Sequence, residues 1–240
     1  MKKADGLFFD LGGTLLLEIK DTSYQDNAKK DLYDLVQPES DPDAFYEMIR
    51  ERFAIYKSWA VHTRREVTDD LLWGLFLLPE RDASWIHEHA HEMTYIFRRT
   101  KGRRVTVPGG VEVVRILKER GYRLGIISNL IGEDYEVRKW LKSEEMENLF
   151  ETMVISSVCG LRKPGDGIYR IACGNLNLSP ARCASIADNL DTDIPGARKA
   201  GIGVNVLYHS PEGKHVIPIT DFNRPDYEIR DFRELLEIFD

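Results

Sequence analysis

Leu7-Phe8-Phe9-Asp10-Leu11-Gly12-Gly13-Thr14-Leu15 is the stretch from which the fold of this chain is read. Three apolar residues carry the backbone to a carboxylate, and two glycines then take it away. An unbroken apolar run reads as a strand buried on both faces, the usual state of a strand in a parallel sheet. Such a strand delivers Asp10 to the carboxyl edge of the sheet, where open α/β proteins bind their ligands. Gly12 and Gly13 allow a sharp turn and a close approach of main chain to a ligand. Taken alone, the stretch also fits a plain strand-to-loop turn, so its chemistry depends on what the rest of the chain brings to it.

Working outward, residues 19–97 carry helical periodicity and little that resembles a strand. Phe45, Met48 and Ile49 stand at i, i+3, i+4 within Ala44–Ala60, and the stretches Val67–Leu78 and Trp85–Phe97 follow the same spacing. Pro38, Pro42 and Pro79 punctuate a block of about four helices. After Pro108 the texture changes. Apolar strands at Arg123–Ile127, Met153–Ile155, Cys183–Ala187 and Gly203–Leu207 alternate with helices whose inner faces include Val113, Ile116 and Leu117, then Val137, Trp140 and Leu141, then Ile168, Ile171 and Ala172. This alternation implies an α/β fold, a Rossmann-like parallel sheet with right-handed crossovers to which the opening strand belongs. The expected organisation is a core of residues 1–17 and 104–240 with an all-helical domain, residues 18–103, inserted after the first strand.

With 240 residues, 42% of them hydrophobic and 30% charged, the chain has the composition of a globular protein with a full core. Its net charge of −7 argues against nucleic-acid binding by bulk electrostatics. The first apolar run is too short for a signal peptide or a membrane span. Cys159, Cys173 and Cys183 are odd in number and lack metal-site spacing, so reduced thiols and a cytoplasmic location are expected.

Four polar sites stand where strands end or shortly after: Asp10, Ser128, Lys163 and the pair Asp188 and Asp193. Individually they read as a turn, a helix cap, a surface Lys-Pro and an acidic loop. Together they supply a nucleophile, a hydroxyl donor, a cation and acidic ligands for a hard metal ion, an inventory suited to phosphoryl transfer. The order FFDLGGTLL, IISN, LRKPGDGIY, SIADNLDTDIPGARKAG resembles the haloacid dehalogenase-like hydrolase superfamily over nearly the whole chain. The resemblance implies an α/β core with a helical cap and, with Mg²⁺ as cofactor, hydrolysis of a small phosphorylated substrate. It makes Asp10 the nucleophile, with Asp10, the Gly12 carbonyl and Asp188 holding the metal. Thr14, Ser128 and Lys163 would then bind phosphoryl oxygens. Asp193 would support the metal shell or orient Lys163, and Asn129 would add a polar contact.

One departure limits the expected chemistry. Most phosphatases of this superfamily carry a second aspartate two residues after the nucleophile, which protonates the leaving alcohol and activates water; here that position is Gly12. Loss of a general acid–base group costs about 10²–10⁴ in rate. The departure leaves four readings open: a phosphatase for leaving groups of low pKa or with a borrowed acid, a haloacid dehalogenase, a phosphonatase using a cap lysine such as Lys57, and a catalytically degenerate phospho-ligand binder. The presence of Asp188 argues against the dehalogenase. His87-Glu88-His89-Ala90-His91 matches the zinc-peptidase pattern but lacks a third ligand and reads as surface histidines. Arg98-Arg99-Thr100-Lys101-Gly102-Arg103-Arg104 reads first as a solvated hinge, with arginines gripping an anionic substrate as the alternative. Tyr56, Trp59, His62 and Arg64 either face the cleft or belong to the helical core, the expected case for aromatics at helical spacing.

Overall fold

The computed structural model describes residues 2–211 and 217–240. Strand β1 (Gly6–Phe9) is followed by a short β2 (Leu16–Ile19) and the helical block: α1 (Thr22–Val36), α2 (Pro42–Thr63), α3 (Asp69–Leu71) continuing as a π-helical stretch Leu72–Leu77, and α4 (Ala83–Arg99). Then come β3 (Arg103–Thr106), α5 (Gly110–Glu119), β4 (Arg123–Ser128), α6 (Tyr135–Ser143), β5 (Phe150–Ile155), α7 (Ser156–Cys159) and α8 (Gly167–Asn175). The chain ends with β6 (Cys183–Ala187), α9 (Asp193–Ala200), β7 (Val204–Tyr208), β8 (Tyr227–Ile229) and α10 (Leu235–Ile238).

Six of these strands form one parallel sheet in the order β5-β4-β1-β6-β7-β8. The chain starts in the middle, builds outward through β4 and β5, then crosses to the other side at β6. The topological switch therefore lies at β1, and Asp10 leaves its carboxyl end. Side chains alternate across the sheet as the pleat requires. Leu7 and Phe9 pack with Leu124, Ile126, Ile186 and the inner faces of α5 and α6, while Phe8 faces Ile127, Ile168, Tyr169 and Ala172 on the opposite layer. Fully burying a Phe or Leu side chain contributes about 1.5–3 kcal/mol. These two apolar layers are therefore what fixes the register of β1, and with it the position of Asp10.

The helical block has a core of its own. Ala28, Leu32 and Val36 of α1, Phe45, Ile49 and Tyr56 of α2, and Ile86, Ala90, Met93 and Phe97 of α4 close around Trp73. Three helices are entered through aspartate caps. Asp21 accepts from the Tyr24 amide at 3.1 Å, Asp41 from those of Asp43 and Ala44 at 3.1 and 3.0 Å, and Asp82 from those of Ser84 and Trp85 at 2.9 and 3.2 Å. Tyr56 belongs to this core and does not face a cleft; His62 and Lys57 line a shallow outer groove with Ala54, Ser58 and Val61.

The chain leaves and re-enters the sheet region through an antiparallel β2–β3 ladder with Leu16 opposite Thr106, Leu17 opposite Val105, Glu18 opposite Arg104 and Ile19 opposite Arg103. The expected boundaries fall inside these two strands. The basic run also departs from the expectation of a solvated hinge. Arg103 and Arg104 sit in β3, and Arg98 is only 7% exposed, its guanidinium paired with Glu136 of α6 at 2.8 Å. A second link joins the helical block to the sheet region: the Glu66 amide donates to the Gly160 carbonyl at 3.3 Å and the Arg162 amide to the Arg64 carbonyl at 3.1 Å. Among the described residues, no helix is long and apolar enough to cross a membrane.

Candidate active site

Asp10 follows the last residue of β1, Ser128 ends β4, and Asp188 follows β6, so neighbouring parallel strands deliver all three to one edge. Lys163 arrives on the loop between α7 and α8, and Asp193 opens α9. The Lys163 ammonium donates to Asp10 Oδ1 at 2.6 Å and to the Ile127 carbonyl at 3.1 Å, and it also pairs with Asp193 Oδ1. It is 4% exposed, against 8% for Asp10 and 2% for Asp193. Burial pushes the lysine down, but the two carboxylates outweigh burial and hold it well above the ordinary lysine value. Burial raises the Asp193 carboxyl to about 6, with the Lys163 ammonium opposing the rise. Asn129 uses its side-chain amide on the Lys163 main chain, donating to its carbonyl at 3.0 Å and accepting from its amide at 2.9 Å. That pair fixes the loop from which the ammonium reaches Asp10.

The turn after Asp10 is closed by its own backbone. The Thr14 and Leu16 amides donate to the Leu11 carbonyl at 3.2 and 2.7 Å, and the Gly13 amide donates to the Leu16 carbonyl at 2.7 Å. Gly13 has φ +83°, and a Cβ there would overlap the Asp188 carboxylate. Only glycine permits both the left-handed backbone and this approach. Gly12 is different: its φ is not positive, and a Cβ added to it meets nothing within 4 Å. Thr14 is fully buried and its hydroxyl has no hydrogen-bond partner, a donor left available at the loop. In front of the turn lies a cavity of about 130 Å³ lined by Gly12, Gly13, Ser128, Asn129, Arg98 and Arg104 among others.

Asp10, Asp188 and Asp193 present ligand atoms that all lie within 4.8 Å of one another, the one such group of His, Cys, Asp and Glu side chains among the described residues. Three carboxylates against one ammonium leave surplus negative charge, and their oxygens are hard donors, so the group fits a small divalent cation. The histidine motif forms no second group. His87 pairs with Asp70 at 3.0 Å and His91 with Asp69 at 3.4 Å, on separate carboxylates. All three cysteines are free thiols.

Buried charges at this site escape the sequence. Glu66 accepts from the Tyr56 hydroxyl, from Ser156 Oγ at 3.0 Å and from Arg162, so the helical block places a fully buried carboxylate beside the residue preceding Lys163. Arg64-Arg65-Glu66 carries no periodicity that would mark one of its members as buried.

A family model described as haloacid dehalogenase-like hydrolase matches residues 4–201, which takes in every residue of this site. The chain belongs to the haloacid dehalogenase-like hydrolases. Among curated relatives, a glyceraldehyde 3-phosphate phosphatase of Pyrococcus furiosus is 25% identical over 248 aligned positions, covering 100% of this chain and 95% of the relative. One of the same name from Methanopyrus kandleri is 31% identical over 133 residues, and the match spans 55% of each protein. The chain thus matches about half the length of that second relative. The fold is shared with a 2-haloacid dehalogenase from Pseudomonas syringae pv. Tomato at TM-score 0.70 and 20% identity, covering 98% of this chain and 97% of that one.

Proposed function

We propose that this family member is a Mg²⁺-dependent phosphohydrolase that acts on a small phosphorylated metabolite through an aspartyl-phosphate on Asp10. The observation that carries the reading is the Lys163 ammonium between Asp10 and Asp193, at the sheet edge whose Gly12, Gly13, Ser128 and Asn129 line a cavity. An Oδ of Asp10 attacks phosphorus and the ester oxygen departs with its electron pair; water then cleaves the acyl phosphate to return the carboxylate and release phosphate. Lys163 offsets the charge of the phosphoryl oxygens close to the nucleophile, and the Thr14 and Ser128 hydroxyls donate to those oxygens. Asp10, Asp188, the Gly12 carbonyl and Asp193 would hold the metal, which supplies charge neutralisation at the transferring group. Asp193 also keeps Lys163 aligned. Asn129 acts on the Lys163 main chain. Residues 18–103 are the cap over this edge. The names of the relatives support phosphate-ester hydrolysis, and the acidic group supports a metal-using route over halide displacement.

Because Gly12 offers no carboxyl, the leaving oxygen takes its proton from solvent, so esters of acidic leaving groups turn over faster than alkyl phosphates. The test is phosphate release with Mg²⁺ from acetyl phosphate, p-nitrophenyl phosphate and alkyl phosphates, with Asp10→Asn as the blank. Release that persists in Asp10→Asn refutes the nucleophile.

A further inference from the structure

A second cavity, of about 310 Å³, adjoins the one in front of Gly12, and Leu16, Arg98, Arg104 and Val137 line both. Its wall comes from α1, α4, β3 and α6 and holds five cations, Arg98, Arg99, Arg103, Arg104 and Lys139, against one carboxylate, Glu136. That concentration is found in a chain of net charge −7. Three of the cations have partners: Arg98 pairs with Glu136 at 2.8 Å, Arg99 with Asp31 at 2.9 Å and Arg103 with Asp21 at 4.0 Å. Among the described residues, Arg104 and Lys139 make no ion pair.

Arg98 is 7% exposed, and its Nε is buried without a hydrogen-bond partner. Burial and the neighbouring Arg104 lower it to about 10, so the two guanidiniums repel each other across a space that an anion would relieve. Removing an arginine from water without pairing all its donors is costly, and a carboxylate or phosphate in the cavity would supply the missing charge-assisted contact. Aromatic rings close the rest of the wall. Arg99 lies over Tyr24 and Tyr95 at 5.0 and 5.7 Å, and Trp140 fixes its indole by donating to Thr106 Oγ1 at 3.0 Å. At about 30 Å³ per water, the volume holds a short carbon body and an ionised group, not a macromolecule.

We propose that this cavity is the outer half of the substrate site, where Arg98, Arg104 and Lys139 bind a second anionic group, a carboxylate or a phosphate, at the far end of the phosphate ester. The inference rests on the phosphohydrolase reading for the reaction but not for binding. It names the substrate class as small phosphate esters with an anionic group at the far end and assigns specificity to the return strand and α6.

The experiment compares phosphoglycolate (carboxylate end), ethylene glycol bisphosphate (phosphate end) and glycerol phosphate (neutral end). Steady-state phosphate release is measured with Mg²⁺, and binding is measured by calorimetry to Asp10→Asn, in each case with and without Lys139→Gln and Arg104→Gln. The expected result is a preference of about tenfold or more for an anionic end, falling by about tenfold per removed charge-assisted contact and expressed in KM. The better of the two anionic probes identifies the group. If no ester is hydrolysed but Asp10→Asn binds anionic-ended probes more tightly, with that difference lost in Lys139→Gln, the subsite stands and the phosphohydrolase reading falls. Hydrolysis or binding that ignores the far end, or a preference unchanged in both variants, overturns the subsite, as does failure of all three probes to bind.

Discussion

Gly12→Asp is the perturbation that separates a missing group from a dead site. The structure permits the change. Position 12 has no positive φ, its Cβ would meet nothing within 4 Å, and the residue lines the cavity in front of Ser128 and Asn129. A carboxyl placed there can reach the ester oxygen without moving the turn, because the hydrogen bonds that close it involve Leu11, Gly13, Thr14 and Leu16 and not Gly12. The expected gain on alkyl phosphates is the general acid–base factor of about 10²–10⁴, equivalent to about 2.7–5.5 kcal/mol of barrier. Acetyl phosphate, whose leaving group needs no proton, gains far less in its first step. The assay is phosphate release from both substrates at saturating Mg²⁺, read as the alkyl-to-acyl ratio of kcat/KM. Gly13→Ala serves as the contrast: its Cβ overlaps Asp188 and its backbone is left-handed, so that variant loses activity on both substrates. An unchanged ratio in a folded Gly12→Asp protein refutes the reasoning, since it places the leaving-group proton with another residue.

Four further outcomes are expected. Mg²⁺ raises the melting temperature, by several degrees at 100 times its dissociation constant, where saturation contributes about 2.7 kcal/mol; Asp188→Asn abolishes that rise, and a rise preserved in the variant places the ion elsewhere. Lys163→Met strands Asp10 and Asp193 without their buried cation, costing about 3–5 kcal/mol in urea unfolding together with turnover; a midpoint like that of the parent counts against it. Glu66→Ala leaves the Arg162 guanidinium and the Tyr56 and Ser156 hydroxyls without their acceptor, and about 3–5 kcal/mol of stability is lost by the same measurement. Asp69 is buried, and burial raises its carboxyl despite the Thr94 and His91 contacts, leaving Oδ1 unpartnered. A carboxyl raised in the folded state stabilises most fully below the unfolded value of about 3.9, and loses that contribution as pH rises through the folded value. Asp69→Asn therefore unfolds later than the parent at pH 7, by about 1 kcal/mol, with the difference vanishing near pH 3; equal midpoints at pH 7 contradict this.

The sheet and the position of Asp10 were legible because they follow from apolar runs. Leu7–Phe9, Ile126–Ile127 and Ser185–Ala187 each bury both faces, and period alone separates them from the helices. The β2–β3 ladder was not legible. Its strands are four residues each, they carry Glu18 and Arg104 among their apolar neighbours, and they stand more than eighty positions apart, so no local pattern links them. Arg98 was misread for a related reason. In a run of seven residues with five charges, solvation is the economical reading. The distant Glu136, which pairs with it, and Asp69 offset its burial. Asn129 was found as a polar residue after a strand, yet its engagement with the Lys163 main chain depends on a loop 34 residues away.

The two buried cations near the cavity differ in how far they are compensated, and that difference orders the site. Lys163 faces two carboxylates and a carbonyl; the surrounding negative charge overcomes the cost of burial and keeps the ammonium charged beside Asp10. Arg98 pairs with Glu136 and also feels Asp69, yet burial and the neighbouring Arg104 guanidinium outweigh both and leave it lowered. Interior charges are tolerated when their neighbours pair them, and breaking a buried pair costs several kcal/mol. A cation held up by its carboxylates is therefore part of the resting architecture, while one that burial and a like charge lower is the one that the proposed anion would complete. On the proposed reading the inner cavity would neutralise the transferring phosphoryl group and the outer one would select the end of the substrate that does not react. The first set of charges is delivered by strand ends and the loops beside them, the second by α4, β3 and α6. Substituting the outer cations is therefore expected to change which ester is bound, and substituting the inner residues to stop the reaction.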